Sequence, residues 1–193
     1  MKDAKKLVEF FSAMSAVDRF SQFRLVNPES ILEHTGMVAI MTLMICQKVD
    51  ANIDVELAAL RHAMCHDIDE ILTGDIPMPT KYSNQSIKNM IDDISYNNIM
   101  IIDRSYGTEL TDYWTTPARA EKAIVKLADV IAVYYKARQE IDLFGNKTMI
   151  SAIQILPDGL ARSAEQLKRF YPNASDLYDL VDEMISWTVR TIE

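Results

Sequence analysis

Apolar side chains recur at helical spacing along almost the whole chain, and no stretch keeps the two-residue alternation of a strand. The pattern places a first helix over residues 3–16, followed by an irregular stretch from Asp18. Asn27-Pro28 reads as a helix start, with Asn as cap and Pro at the first helical position. The helix that follows, over 28–49, is apolar almost all round and is expected to be central and buried. Asp54 is the expected cap of the next helix, which runs to Leu72 and stops at Thr73-Gly74. "DIPMPTKY" is a proline-punctuated loop. Further helices are expected over 84–103, over 117–142 and from 147 onward, with Gly145 as stop and Asn146 as the next cap. Pro157 should kink or split the helix from 147. A last helix covers 175–192. No internal repeat or low-complexity segment interrupts this series. The expectation is a single all-α domain, residues 1–193, of six or seven helices.

Composition narrows what such a domain does. A net charge of −8 argues against a binder of nucleic-acid polymers, which needs a basic face to displace counterions. It does not exclude a small anionic ligand, because a local metal or a few basic groups override the overall field. Cys46 and Cys65 have no framework spacing and read as two reduced, buried thiols. The first residues carry too many charges for a signal peptide, and the run "GMVAIMTLMIC" from Gly36 is far short of a membrane span. No membrane association is expected, and the cytoplasm is the expected location.

The richest chemistry lies in "HAMCHDIDEILTGD", residues 62–75. On a regular helix, with His66 at zero, Glu70 and Asp67 fall at about 40° and 100°. Leu57, Leu60, Met64, Ile68 and Ile71 form an apolar stripe on another side. Ala59 and Ala63 precede the polar arc, so small residues lead into it and the arc is expected to face inward, where charges need a partner or a metal. His62 and His66 have the spacing of a zinc-protease helix, but that chemistry needs a Glu directly after the first His, and Ala63 stands there. Two readings remain: acids and histidines satisfying one another at a helix end, or a metal site built from His66 and Asp67.

The chain has three histidines, so the search for other ligands is short. His34 lies near the start of an apolar helix, whose N-terminus disfavours imidazolium and keeps the ring in its metal-binding form. A satisfied core histidine is the alternative. Asp129, in "AIVKLADVIAVYY", is a carboxylate in an apolar helix and needs a partner or a metal. An i, i+3 pair with Lys126 is its alternative. Two imidazoles and two carboxylates would suit one divalent ion, Mn²⁺, Co²⁺, Fe²⁺, Zn²⁺ or Mg²⁺.

H…HD…D in this order, on helices of an all-α domain, resembles the HD-domain phosphohydrolases. The details resemble the YfbR-like branch, the bacterial 5'-deoxynucleotidases and their phage relatives, among them phage dATP triphosphohydrolases. Arg19-Phe20 is similar to that branch's Arg-Trp, and "ESILEH" to its approach to the first histidine. "HDIDEILTGDIPMPTKY" matches H-D-x-x-E-x-x-T-G-D-x-P-x-P-x-K-Y, and "VKLAD" matches V-K-x-A-D. The match covers roughly residues 10 to 140.

The resemblance implies that His34, His66, Asp67 and Asp129 hold the metal and that Glu70 orients water or moves a proton. It implies phosphate contact by Arg19, packing of Phe20 on the nucleotide where relatives carry Trp, and a sugar 3'-hydroxyl bound by Asp75. Lys81 is a candidate phosphate clamp and Gln22 a candidate reader of a base edge. His62 stands where the branch has an apolar residue and stays outside the metal shell. The implied activity is hydrolysis at the 5'-phosphate of a deoxynucleotide, either a monophosphate releasing phosphate or a triphosphate releasing triphosphate. A nucleotide-binding sensor or scaffold with a vestigial site is the rival, against which the four ligands and Glu70 all argue. The family also implies a homodimer or larger homo-oligomer, and its phage members extend the expected location to a host cell's cytoplasm.

Overall fold

Helices dominate because the apolar positions repeat every three to four residues with caps and stops between them, and the structure, a computed structural model, follows that grammar. It describes residues 4–112, 119–174 and 176–186, with the side chains of Leu7 and Asp176 outside the description. Seven helices of nine residues or more occur among the described residues, and no strand. They are α1 (Ala4–Ser12), α2 (Ile31–Lys48), α3 (Ile53–Cys65), α6 (Gln85–Tyr106), α7 (Ala120–Phe144), α8 (Ile150–Lys168) and α9 (Asp176–Ser186). One-turn helices α4 (Glu70–Thr73) and α5 (Met78–Lys81) lie between α3 and α6. The expected helix start at Pro117 and the end of the last helix, 187–192, lie outside the described residues. Among the described residues no helix is long and apolar enough to cross a membrane.

Several boundaries differ from expectation for local reasons. The helix expected from Pro28 begins at Ile31, because Ser30 and Glu33 form a capping box: Glu33 N–H donates to Ser30 Oγ at 3.2 Å and Ser30 N–H to Glu33 Oε2 at 2.7 Å. Asn52, not Asp54, starts α3, accepting the N–H groups of Asp54 and Val55 at 3.1 and 3.0 Å. The expected stop and cap at Gly145 and Asn146 are present, Gly145 with φ of 64° and Asn146 accepting Thr148 N–H at 3.2 Å. Helix α8 runs unbroken through Pro157, with Ala152, Leu156, Leu160, Ala164 and Leu167 buried along one face. That face outweighs the hydrogen bond a proline forfeits.

Residue contacts gather the chain into two units. The first comprises residues 1–24, 28–35 and 65–116. Its core is Met14, Ile31, Ile68, Ile99, Ile102 and Leu110, with Phe10, Phe11 and Tyr106 packed against it. A short antiparallel bridge, Asp18 with Ser30, ties the stretch after α1 to the entry of α2. Asp103 secures the end of α6, where its carboxylate accepts Leu110 N–H and Thr111 N–H, both at 2.8 Å.

The second unit comprises residues 25–27, 36–64 and 117–193. Helix α7 is its buried centre, since Val130 to Tyr134 are buried in succession and no face is left for water. Helix α2 is less buried than its composition predicts: Ile40 and Met44 are 56% and 47% exposed. On α3 the alanine side is the inner one, with Ala59 and Ala63 at 0% exposure, while Leu57 and Met64 of the apolar stripe face outward. Cys46 is buried and Cys65 only partly so, both as free thiols. Burial raises both to a pKa of about 11.

A buried charge cluster anchors the segment ahead of α2. Glu140, fully buried, accepts Val26 N–H at 2.8 Å, Asn27 N–H at 2.9 Å and Asn146 Nδ2 at 2.7 Å. Lys136 Nζ donates to the Asn27 carbonyl at 2.5 Å and lies 3.5 Å from Glu140 Oε1. Burial acts to raise the Glu140 pKa, but these donors and the lysine hold it below the ordinary glutamate value.

Candidate metal centre

The site grows from two chain reversals in the first unit. Ahead of α2, Arg19 N–H donates to Glu29 O at 2.8 Å and Ile31 N–H to Val17 O at 2.9 Å, so the capping box starts the helix at a fixed point. His34 follows one turn later, fully buried, its N–H bonded to Ser30 O at 3.1 Å. Its Nδ1 faces Glu29 Oε2 at 3.9 Å. A carboxylate behind the ring favours the proton on Nδ1 and leaves Nε2 as donor toward a metal.

The second reversal corrects the expectation of one helix through Leu72. Helix α3 ends at Cys65, and His66 to Asp69 form turns before α4. The hydrogen bonds there skip three residues rather than four: Ile68 N–H to Cys65 O at 3.3 Å, Glu70 N–H to Asp67 O at 3.1 Å. Neighbours on a regular helix point about 100° apart. There the chain leaves the regular α-helix for tighter three-residue turns, and the two side chains meet, His66 Nε2 lying 3.1 Å from Asp67 Oδ2.

Three groups meet here. Asp67 Oδ2 is also 3.7 Å from His34 Nε2, and the two imidazole centroids are 5.3 Å apart. One donor atom from each of His34, His66 and Asp67 lies within 4.8 Å of the others. Ligands bound to one ion at about 2.0–2.2 Å stand roughly 3–4 Å apart, so the two Asp67 separations already match a shared cation. The donor set, two neutral-capable imidazoles and a carboxylate, is one a divalent transition metal takes. Glu70 gives a second sign of fit: its Oε2 is buried and has no hydrogen-bond partner among the described residues.

Glu70 stands at the start of α4. Burial, then the Asp67 carboxylate, push its pKa up to about 9, against the opposing pull of Arg19. Arg19 Nη1 lies 3.3 Å from Asp67 Oδ2, so the guanidinium is at the cluster. Phe20 carries a left-handed φ of 59°, and its N–H donates to Asp75 Oδ2 at 2.7 Å. Lys81 closes α5, half-buried, and its charge reaches Asp69. Gln22 is exposed in the turn that Phe23 N–H closes onto Phe20 O at 2.7 Å.

Asp129 and His62 belong to the second unit. Asp129 Oδ2 is 2.8 Å from Lys126 Nζ, the i, i+3 pair weighed as its alternative. His62 is partly buried on α3. The residues that sequence reasoning missed are Glu29 and Asp69. Glu29 precedes the capping box, where helical spacing carries no information, and its Oε2 comes to 3.9 Å from His34 Nδ1. Asp69 is 5% exposed, and burial raises its pKa despite a hydrogen bond with Ser95.

Known proteins of similar sequence include 5'-deoxynucleotidases, and solved structures of similar fold include HD-domain phosphohydrolases. A family model described as YfbR-like 5'-deoxynucleotidase matches residues 6–171. A 5'-deoxynucleotidase of Pectobacterium atrosepticum is 32% identical over 142 residues, 67% of this chain and 70% of that one. One of Citrobacter koseri is 28% identical over 170 residues, 82% and 84% of the two chains. Among solved structures, an HD-domain phosphohydrolase of Listeria innocua matches with a TM-score of 0.73 at 16% identity, over 95% of this chain and 90% of that one. The cyanophage S-2L HD phosphohydrolase DatZ, bound to dA and one catalytic Zn²⁺, matches at 0.64 and 17% identity, over 92% and 95%. At such identities the two structures establish the helical HD fold alone. The family match, spanning most of the sequence, goes further: this chain belongs to the YfbR-like 5'-deoxynucleotidase family of hydrolases.

Proposed function

We infer that the protein is a divalent-metal-dependent 5'-deoxynucleotidase that hydrolyses a deoxynucleoside 5'-monophosphate to the deoxynucleoside and phosphate. The observation that carries this reading is the convergence of His34, His66 and Asp67 donor atoms within 4.8 Å in a chain of this family. Asp129 is the proposed fourth ligand, on the strength of its place as a carboxylate in an apolar stretch of α7 that reads V-K-L-A-D. A divalent ion bound by these groups supplies Lewis acidity at the phosphoryl oxygens and favours deprotonation of water.

The chain's own residues do the rest. A water oxygen bonds to phosphorus, the bond from phosphorus to O5' breaks, and one water proton ends on O5'. Glu70, beside Asp67 and Arg19, is the group that holds and moves that proton. Arg19 neutralises phosphate charge from its place 3.3 Å from Asp67, and Lys81 adds a second cation. Asp75 accepts the sugar 3'-hydroxyl, Phe20 offers its ring to the nucleotide, and Gln22 reads a base edge.

The curated relatives are named as deoxynucleotidases, which favours the monophosphate over the triphosphate. Residues 1–193 act as one catalytic domain in the cytoplasm. The working form is a homodimer or larger, supported by the exposed apolar side chains of Ile40, Leu43 and Met44 on α2 and Ile53, Leu57 and Met64 on α3. The test is turnover of a panel of deoxynucleoside mono- and triphosphates with Mn²⁺, Co²⁺ and Zn²⁺, identifying the product. Orthophosphate from monophosphates supports the reading. Triphosphate from a triphosphate, with monophosphates untouched, overturns it.

A further inference from the structure

Two backbone positions beside the metal cluster adopt conformations that L residues rarely take, and a single hydrogen bond joins their neighbourhoods. Phe20 has φ of 59°. Gly74 has φ of 74° and ψ of 167°, a region open in practice to glycine alone. The residue that Gly74 turns inward is Asp75, whose Oδ2 accepts the Phe20 N–H at 2.7 Å across 55 positions of chain. A left-handed backbone at a bulky aromatic residue persists only where its surroundings over-determine it. The surroundings here are countable. Arg19 N–H is tied to Glu29 O at 2.8 Å on one side, and Phe23 N–H closes a turn onto Phe20 O at 2.7 Å on the other. The carboxylate of Asp75 is the third tie, and the charge-assisted one.

We propose that Asp75 is a positioning residue for Phe20: one carboxylate oxygen latches the Phe20 amide and thereby sets where the aromatic ring stands in the substrate site. The inference rests on the deoxynucleotide reading and adds a second role to a residue already assigned to the sugar. Sugar binding and ring placement then share one carboxylate. Gly74 is part of the device, because its turn delivers that carboxylate to the Phe20 amide.

The test uses a 2',3'-dideoxynucleoside 5'-monophosphate, which offers Asp75 no sugar hydroxyl. A residue that touches only the sugar would leave kcat/KM on this substrate unchanged in Asp75→Ala. The latch gives a loss of roughly tenfold, carried mainly by KM. Asp75→Asn keeps an oxygen acceptor for the amide and recovers part of the loss that Asp75→Ala suffers on this substrate. In a Phe20→Ala background, Asp75→Ala costs at most about twofold more, because the ring it places is gone. Selective ¹⁵N-Phe labelling supplies a readout independent of turnover: the Phe20 amide resists solvent exchange in the natural protein and in Asp75→Asn, and exchanges freely in Asp75→Ala. A natural-protein value in Asp75→Ala on the dideoxy substrate, fully multiplicative losses in the double variant, or a Phe20 amide unprotected in the natural protein would overturn the latch. Absence of turnover of any deoxynucleotide by the natural protein would overturn the deoxynucleotidase reading instead, and the amide measurement would still decide the latch.

Discussion

Arg19 Nη1 lies 3.3 Å from Asp67 Oδ2, so a guanidinium and a proposed metal-ligand carboxylate that are 48 positions apart in the chain share one small space. The pairing places beside the cluster the cation proposed to meet the phosphate. Arg19→Ala should raise KM for a monophosphate substrate about tenfold, with metal content unchanged. Arg19→Lys should recover little of this, because a point charge does not reproduce the planar fork. Steady-state kinetics with metal analysis of the same samples checks both statements.

Glu70 carries the proton step in this account. Glu70→Gln, which keeps the shape and removes the ionisable group, should lower kcat on the order of 10²–10⁴-fold with KM little changed. Metal binding should persist, since Glu70 is not among the ligands. Loss of metal in this variant would move Glu70 from proton handling to metal retention.

Glycine at position 74 is required by its backbone. No heavy atom lies within 4 Å of a Cβ built there, so Gly74→Ala meets no clash and its cost is conformational, about 1–3 kcal/mol. Gly36, inside α2, also has open space around a built Cβ. There alanine should stabilise by about 0.5–1 kcal/mol, because a helical glycine gives up more chain entropy on folding. Denaturant midpoints of the two variants should therefore move in opposite directions.

Glu140 governs a part of the acid stability. Its folded pKa is depressed relative to an ordinary glutamate, so the stability it contributes is fully present above about pH 4.3 and declines as pH falls through the depressed value. Glu140→Ala strands Lys136, 3% exposed, without its carboxylate and should cost about 3–5 kcal/mol at neutral pH. The gap between the two proteins should narrow as the natural protein is acidified, which thermal melts across pH would show.

The sequence carried the helices well where caps and stops are local. Gly145 and Asn146 are examples, for a left-handed stop and an Asx cap depend on neighbours a few positions away. His34, His66 and Asp67 are also legible as a group, because three histidines leave few candidates and His66-Asp67 is specific in type and spacing, whereas Asp129, named with them, pairs with Lys126. Their geometry was less legible. Helical arithmetic puts His66 and Asp67 about 100° apart, whereas the chain leaves the α-helix after Cys65 and their side chains meet at 3.1 Å. The Phe20 amide on Asp75 depends on a contact between segments 55 positions apart, to which periodicity is blind. The exposure of Ile40 and Met44 belongs to the same class: an apolar helix face says what it prefers to bury against, and not whether this chain alone supplies the partner.

Metal stoichiometry of purified protein after dialysis, for the natural chain and for Asp67→Ala, decides whether the His34, His66 and Asp67 cluster holds an ion. One divalent ion per chain is expected in the former, its loss in the latter, and loss of monophosphate hydrolysis in parallel. Full metal content and full activity in Asp67→Ala would contradict it.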